Sequence, residues 1–218
     1  MPRIKTCMVT FVVVIAFSAV GVASASADWF VGGALLKSSA ALSTTAVVDA
    51  PTTLLVPALG LSVVCSGGTL DGTNPEIITG DTGKAKALTF LSCNTTKPEK
   101  GCALEVTNQA ISTLPINARA FLGTGEEDRV LFSAQTKSLF TDIFFSGANE
   151  CAFNGEEPVK GSVIVGAPTG QLELLNQAIV GLGSVENNSL EIGAGNKAFL
   201  DGGKALLKLA NDALWSFK

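Results

Sequence analysis

The chain has 218 residues, 47% of them apolar, and 15 lysines and arginines against 19 aspartates and glutamates, for a net charge of −4 at pH 7. A mildly acidic balance argues against nucleic-acid binding, which calls for a basic face. Histidine and tyrosine are absent, which rules out Ser-His-Asp and Cys-His arrangements and any histidine-ligated zinc site.

Residues 1–27 read as a secretory signal peptide. A basic start, Met-Pro-Arg-Ile-Lys, precedes an apolar run from Met8 to Val22, and Ala25-Ser26-Ala27 supplies small residues at a cleavage site. The apolar run is shorter than the roughly 20 residues a spanning helix needs. Cleavage after Ala27 is therefore expected, with Ala25 as the competing position, and Cys7 is lost with the leader. The remaining stretch, residues 28–218, has about 190 residues and suits a single domain. It contains no apolar run of 18 or more residues, so no later membrane span is expected.

Downstream, residues 29–36 predict a first strand and residues 37–46 a loop or frayed edge. Short strands follow at 53–56 and 61–65, and then a stretch from Thr69 to Thr79 is broken at Asn74-Pro75. The clearest pattern is at residues 84–107. Ala87, Thr89, Leu91 and Cys93 alternate with Leu88, Phe90 and Ser92; after a polar loop, Cys102, Leu104 and Val106 alternate with Ala103, Glu105 and Thr107. Period two is the strand signature. A hairpin in which Cys93 faces Cys102 sets Leu91 against Leu104, at Cα separations of about 4.5–5.5 Å that a disulfide accepts.

Four cysteines follow the leader: Cys65, Cys93, Cys102 and Cys151. An even count in an exported chain argues for two disulfides, with three possible connectivities. The hairpin favours Cys93–Cys102, which leaves Cys65–Cys151 to tie early strands to late ones.

Residues 114–122 and 129–132 predict strands flanking a turn at 123–128, and residues 140–145 another strand closed by Ser146-Gly147. Residues 158–165 complete the series, with Gly161 marking a bulge or a close backbone approach. Strands this short and this frequent predict an all-β domain, an antiparallel β-sandwich or barrel-like fold stabilised by two disulfides. Two segments depart from the pattern. Leu172, Leu175, Ala178, Ile179 and Leu182 make a helical stripe between Pro168 and Gly183, so a short helix is expected over 171–182. Residues 204–217 are expected to form a hairpin turning at Asn211-Asp212.

Taken together these features resemble a loose set of uncharacterised exported bacterial proteins. The shared marks are Trp-x-Val after the leader (Trp29, Val31), a strand ending in Cys65, and Leu-Thr-Phe-x-x-Cys (Leu88 to Cys93) with Cys102 downstream. Phe-x-x-Ile-x-Phe-x-Gly (Phe140 to Gly147) before Cys151 and Val-Lys-Gly-Ser-Val (Val159 to Val163) complete the set. The resemblance implies an exported β-rich domain and brings no activity or catalytic residues with it.

Chemical motifs are few. The chain has no Gly-x-Ser-x-Gly elbow, P-loop or dinucleotide fingerprint. The nearest cysteine pair is too widely spaced for a four-cysteine zinc site. Carboxylate catalysis would draw on Glu126, Glu127 and Asp128 or on Glu156 and Glu157, although acidic residues beside turns ordinarily keep loops solvated. A calcium site at 126–128 lacks spaced Asp/Asn ligands. Trp29 and Trp215 invite either a sugar-stacking platform or two core aromatics on neighbouring terminal strands, and the second is expected. No cofactor or metal is expected, nor any catalytic residue.

The reading that follows is an exported non-catalytic protein of the cell envelope or extracellular space, periplasmic or secreted, with a protein or glycan partner at the cell surface. Alternatives are a secreted carbohydrate-active enzyme or glycan-binding module, and a surface-assembly subunit that adds a strand to a partner. An outer-membrane barrel is disfavoured by the absence of tyrosine for the aromatic girdles.

Overall fold

In a computed structural model, the described residues are 27–37, 41–71, 75–97, 101–105, 109–123, 128–136, 138–147, 151, 153–183 and 189–218. The predicted signal segment, apart from Ala27, lies outside them. Among the described residues every regular element is a strand, save a 3-10 turn at Pro57–Leu59. The fold is thus the all-β class read from the strand periodicity, with antiparallel sheets that curl.

The organising element is β3 (Ala41–Val56), 16 residues long and therefore about 50 Å end to end. Along one edge it pairs with β18 (Phe199–Leu209), from Leu55↔Phe199 to Thr44↔Leu209. Its other edge is shared. β5 (Glu76–Ile78) takes the beginning of β3, and β4 (Leu61–Asp71) takes the end. From β5 the ladder runs through β6 (Thr82–Ala85), β10 (Ile116–Leu122), β11 (Asp128–Ala134), β14 (Ser162–Gly166) and β15 (Asn176–Leu182) to β18. Because β18 also pairs with β3, these eight strands close on themselves. From β4 a branch continues through β7 (Ala87–Lys97) to β9 (Ile111–Ser112).

Two smaller sheets complete the molecule. One is ordered β17 (Asn196–Lys197), β16 (Glu191–Ile192), β13 (Gly155–Lys160), β12 (Leu139–Gly147), β8 (Cys102–Leu104). The other joins the two ends of the described chain: β19 (Trp215–Phe217), β1 (Trp29–Val31) and β2 (Ala34–Leu35). The segment 29–36 is thus a tight hairpin turning at Gly32-Gly33, where one strand was predicted, and β3 begins inside the expected loop.

Residues 158–165 are not one strand. Gly161 has φ +109°, and the chain passes there from the five-stranded sheet (β13) to the closed ladder (β14). A Cβ at this position would lie 2.0 Å from the Ser189 carbonyl oxygen, so only glycine permits the approach. The close contact expected at Gly161 is present, and it marks the corner between sheets.

The disulfides correct the predicted pairing. They are Cys65–Cys93 and Cys102–Cys151, with Cα separations of 3.9 and 4.9 Å. Cys65 lies directly opposite Cys93 in the β4–β7 ladder, while β8 pairs with β12, where Cys102 faces Gly147. The 84–107 hairpin therefore does not form between its described residues; 98–100 and 106–108 lie outside the description. A hydrogen bond from Thr95 Oγ1 to the Cys102 carbonyl, 2.8 Å, links β7 to β8 without a ladder between them. The period-two argument that set Cys93 against Cys102 is met as well by β4, whose Leu61, Val63 and Cys65 are all buried.

The predicted helix over 171–182 is also corrected. Leu172 is 58% exposed and Leu175 36%, while Ala178 and Ile179 are buried on β15, so the stripe is not one buried helical face. The fully buried residue of this stretch is Gln177, outside the stripe; its amide donates to the carbonyls of Leu172 and Trp215 and accepts from Thr169 Oγ1. Those bonds hold residues 167–172 in successive turns and release the chain into β15. After Asp212, at φ +57°, the chain does turn as expected. It does not return along β18, however: β19 pairs with β1.

Candidate functional site

Residues singled out in the sequence fall in separate places. Glu126 and Glu127 lie outside the described residues. Asp128 opens β11 in the closed ladder, whereas Glu156 and Glu157 are on β13 in the five-stranded sheet. Neighbours on a strand point to opposite faces; accordingly Glu156 is exposed and Glu157 half-buried. No pair of these described carboxylates is brought together. Asp128 itself is buried, 6% exposed. Burial pushes its carboxyl above the ordinary carboxylate range, against hydrogen bonds from the Gln171 side chain and backbone N–H and against the Arg129 charge. The Gln171 N–H to Asp128 Oδ2 distance is 2.8 Å, and Gln171 Nε2 to Oδ1 is 3.2 Å. This cluster clamps the 167–172 turns onto β11. Among the described residues no group of three or more His, Cys, Asp or Glu is placed to hold a metal ion.

Trp29 and Trp215 are core aromatics on neighbouring terminal strands, as expected: 3% and 1% exposed, with ring centroids 5.8 Å apart. Phe217 meets Trp29 edge-on at 5.3 Å. Buried rings cannot stack on a sugar in solvent, so the glycan platform is not formed. Trp29 Nε1 donates to the Thr82 carbonyl. Trp215 Nε1 is buried and has no hydrogen-bond partner among the described residues.

What the sequence reading missed is the interior of the closed ladder. It holds a partly open apolar cavity of about 180 Å³, walled by the ladder and by strands of the branch and of the other two sheets, with Trp215, Trp29 and Phe217 in its wall. The register explains the space. On one face, Ile77, Gly83, Ala118, Phe132 and Val163 follow one another across five strands as directly paired residues. A second such row runs Val130, Val165, Gly181, Gly202, Thr52. Both rows line the cavity, and each has two adjacent small residues. An eight-strand barrel is just wide enough for ordinary side chains to fill, so Gly83–Ala118 and Gly181–Gly202 leave it underfilled. A signal for this existed in the sequence as Gly and Ala at alternate positions (Gly83, Ala85; Ala118, Ala120), but its meaning depends on which strands are neighbours.

Among the described residues, no helix is long and apolar enough to cross a membrane. No protein family, curated protein or solved structure matches this chain.

Proposed function

We propose that the chain is an exported, non-catalytic β protein of the cell envelope or extracellular space whose role is binding or structural. The observation that carries this reading is the pairing of all four cysteines downstream of the leader-like segment into two disulfides. Such bridges persist in oxidising compartments and are rare in the cytosol. The absence of histidine throughout the chain and the separation of the described carboxylate candidates support the non-catalytic part.

Burial of Ala27 bears on where the leader is cut. Ala27 is 0% exposed and its N–H points to the Ala120 carbonyl at 3.4 Å. Cleavage after Ala27 would discard that contact; cleavage after Ala25, where Ala23-Ser24-Ala25 supplies the same small-x-small pattern, would keep it. That burial supports a cut after Ala25, the competing position, over one after Ala27.

Fractionation of the producing cell, with N-terminal sequencing and thiol labelling of the recovered protein, tests the proposal. It predicts an exported protein that begins at Ser26 and has no thiol open to alkylation until reduced. Recovery from the cytosol with labelled cysteines and an intact leader would overturn it.

A further inference from the structure

We infer that the cavity inside the closed ladder is a binding site for a small apolar molecule. This goes beyond the export reading and stands wherever the chain resides.

Two observations meet at the cavity. Its wall is almost entirely apolar and is contributed by strands from the whole circuit of the ladder. Its volume of about 180 Å³ exceeds the engineered cavity of about 150 Å³ that binds benzene, so a substituted single ring or a short branched chain fits. The Trp215 indole N–H, which has no hydrogen-bond partner among the described residues, is itself sealed from the cavity, so the wall offers a ligand no donor there and an apolar molecule suits it best.

The test uses two probes of nearly equal shape, acetophenone and ethylbenzene, of which only the first has an acceptor. Each is titrated into the full-length ¹⁵N-labelled protein while the two indole N–H resonances are followed. The chain has just two tryptophans, so Trp29→Phe assigns both signals. Expected is saturable one-site binding of both probes, with ethylbenzene the tighter because the apolar wall leaves the acetophenone carbonyl without a donor. Filling the cavity from one side with Ala118→Leu, or from another with Val163→Phe, should weaken both probes by roughly tenfold or more. Native-like spectra of at least one of these variants guard against misfolding. The inference is overturned by the absence of saturable binding of ethylbenzene, by undiminished affinity in the folded filled variants, or by tighter binding of acetophenone than of ethylbenzene.

Discussion

Replacing the cysteines in pairs separates the observed disulfide connectivity from the one the hairpin pattern suggested. Cys65–Cys93 spans 28 residues and Cys102–Cys151 spans 49. The loop-entropy relation assigns these bridges about 3.6 and about 4.1 kcal/mol at 25 °C, of which measured values often recover less. Length therefore separates them by only about 0.5 kcal/mol, and their surroundings differ more. Cys65–Cys93 joins two 11-residue strands already paired along most of their length, so the ladder survives its loss. Cys102–Cys151 secures β8, three residues that pair with β12 alone among the described strands. Its loss should release β8 locally, at low denaturant, before the global transition. The double variant Cys65→Ala/Cys93→Ala is expected to lose about 2–4 kcal/mol in urea unfolding followed by tryptophan emission, and to keep Cys102 and Cys151 blocked to maleimide. Appearance of two free thiols at Cys102 and Cys151 in that variant, or of a Cys93–Cys102 peptide in a non-reducing map of the parent, would refute the assignment.

Two glycines with the same backbone angle give a matched comparison. Gly161 (φ +109°) has the Ser189 carbonyl 2.0 Å from a built Cβ, while Gly155 (φ +110°) has nothing within 4 Å. Gly155→Ala should cost about 1–2 kcal/mol from backbone strain alone, and Gly161→Ala at least about 3 kcal/mol or outright misfolding, both read from urea midpoints; equal costs would remove the close-contact explanation. Asp128 predicts a pH effect of definite sign. Its folded-state acidity is weakened by burial, so ionisation costs the folded chain more than the unfolded one. Stability from this group is fully present below the ordinary carboxylate value and falls as pH rises toward the raised one. Asp128→Asn, which keeps an acceptor for the Gln171 N–H, should cancel that fall, so the difference in unfolding free energy between parent and variant should change between acidic and neutral pH; a constant difference would show that the carboxyl does not titrate abnormally. The buried tryptophans predict that acrylamide quenches native emission weakly and unfolded emission strongly, and efficient native quenching would contradict their placement.

What could be read from the sequence was local. Period-two alternation announced the strand at 87–93, and short apolar runs between turn residues announced those at 114–122, 129–132 and 140–145, which the structure has as β7, β10, β11 and β12. Partner choice was not announced by that alternation. Cys93 presents the same face to β4 as it would to residues 102–106, and proximity in sequence favoured the wrong neighbour. The stripe at 172–182 misled for a related reason: small apolar residues at helical spacing mean a helix only if one face is buried. Here Gln177, polar and off the stripe, takes the interior position by having its amide satisfied by Leu172, Trp215 and Thr169. In β12 the buried set Phe140, Ile143, Phe145 breaks strict alternation because the register shifts between Leu139 and Thr141, a bulge that no simple pattern specifies. Of the candidate site, Trp29 and Trp215 were visible as residues, whereas the cavity they wall depends on cross-strand registers between segments distant in sequence.

The cavity also poses an energetic question that its small residues help answer. An empty apolar volume of about 180 Å³ corresponds to a destabilisation on the order of 4 kcal/mol at 24 cal/mol per Å³, comparable with one of the disulfides and a large fraction of an ordinary domain's net stability. Three of the four small residues that create it are imposed by the backbone. A Cβ on Gly181 would lie 2.6 Å from the Gly202 carbonyl oxygen, one on Gly83 would lie 3.0 Å from that of Glu76, and Gly202 sits at φ +59°. Ala118 has no such constraint: it already carries a Cβ, its backbone is ordinary strand, and it faces the open volume. Ala118→Leu should therefore raise the urea midpoint of the ligand-free protein by filling space, while weakening acetophenone binding. Stability gained and binding lost in the same variant would mean that Ala118 keeps the interior open at a cost to the fold. A loss of stability would mean instead that the volume beside Ala118 is already occupied by its neighbours, and the cavity reading would fail at its base.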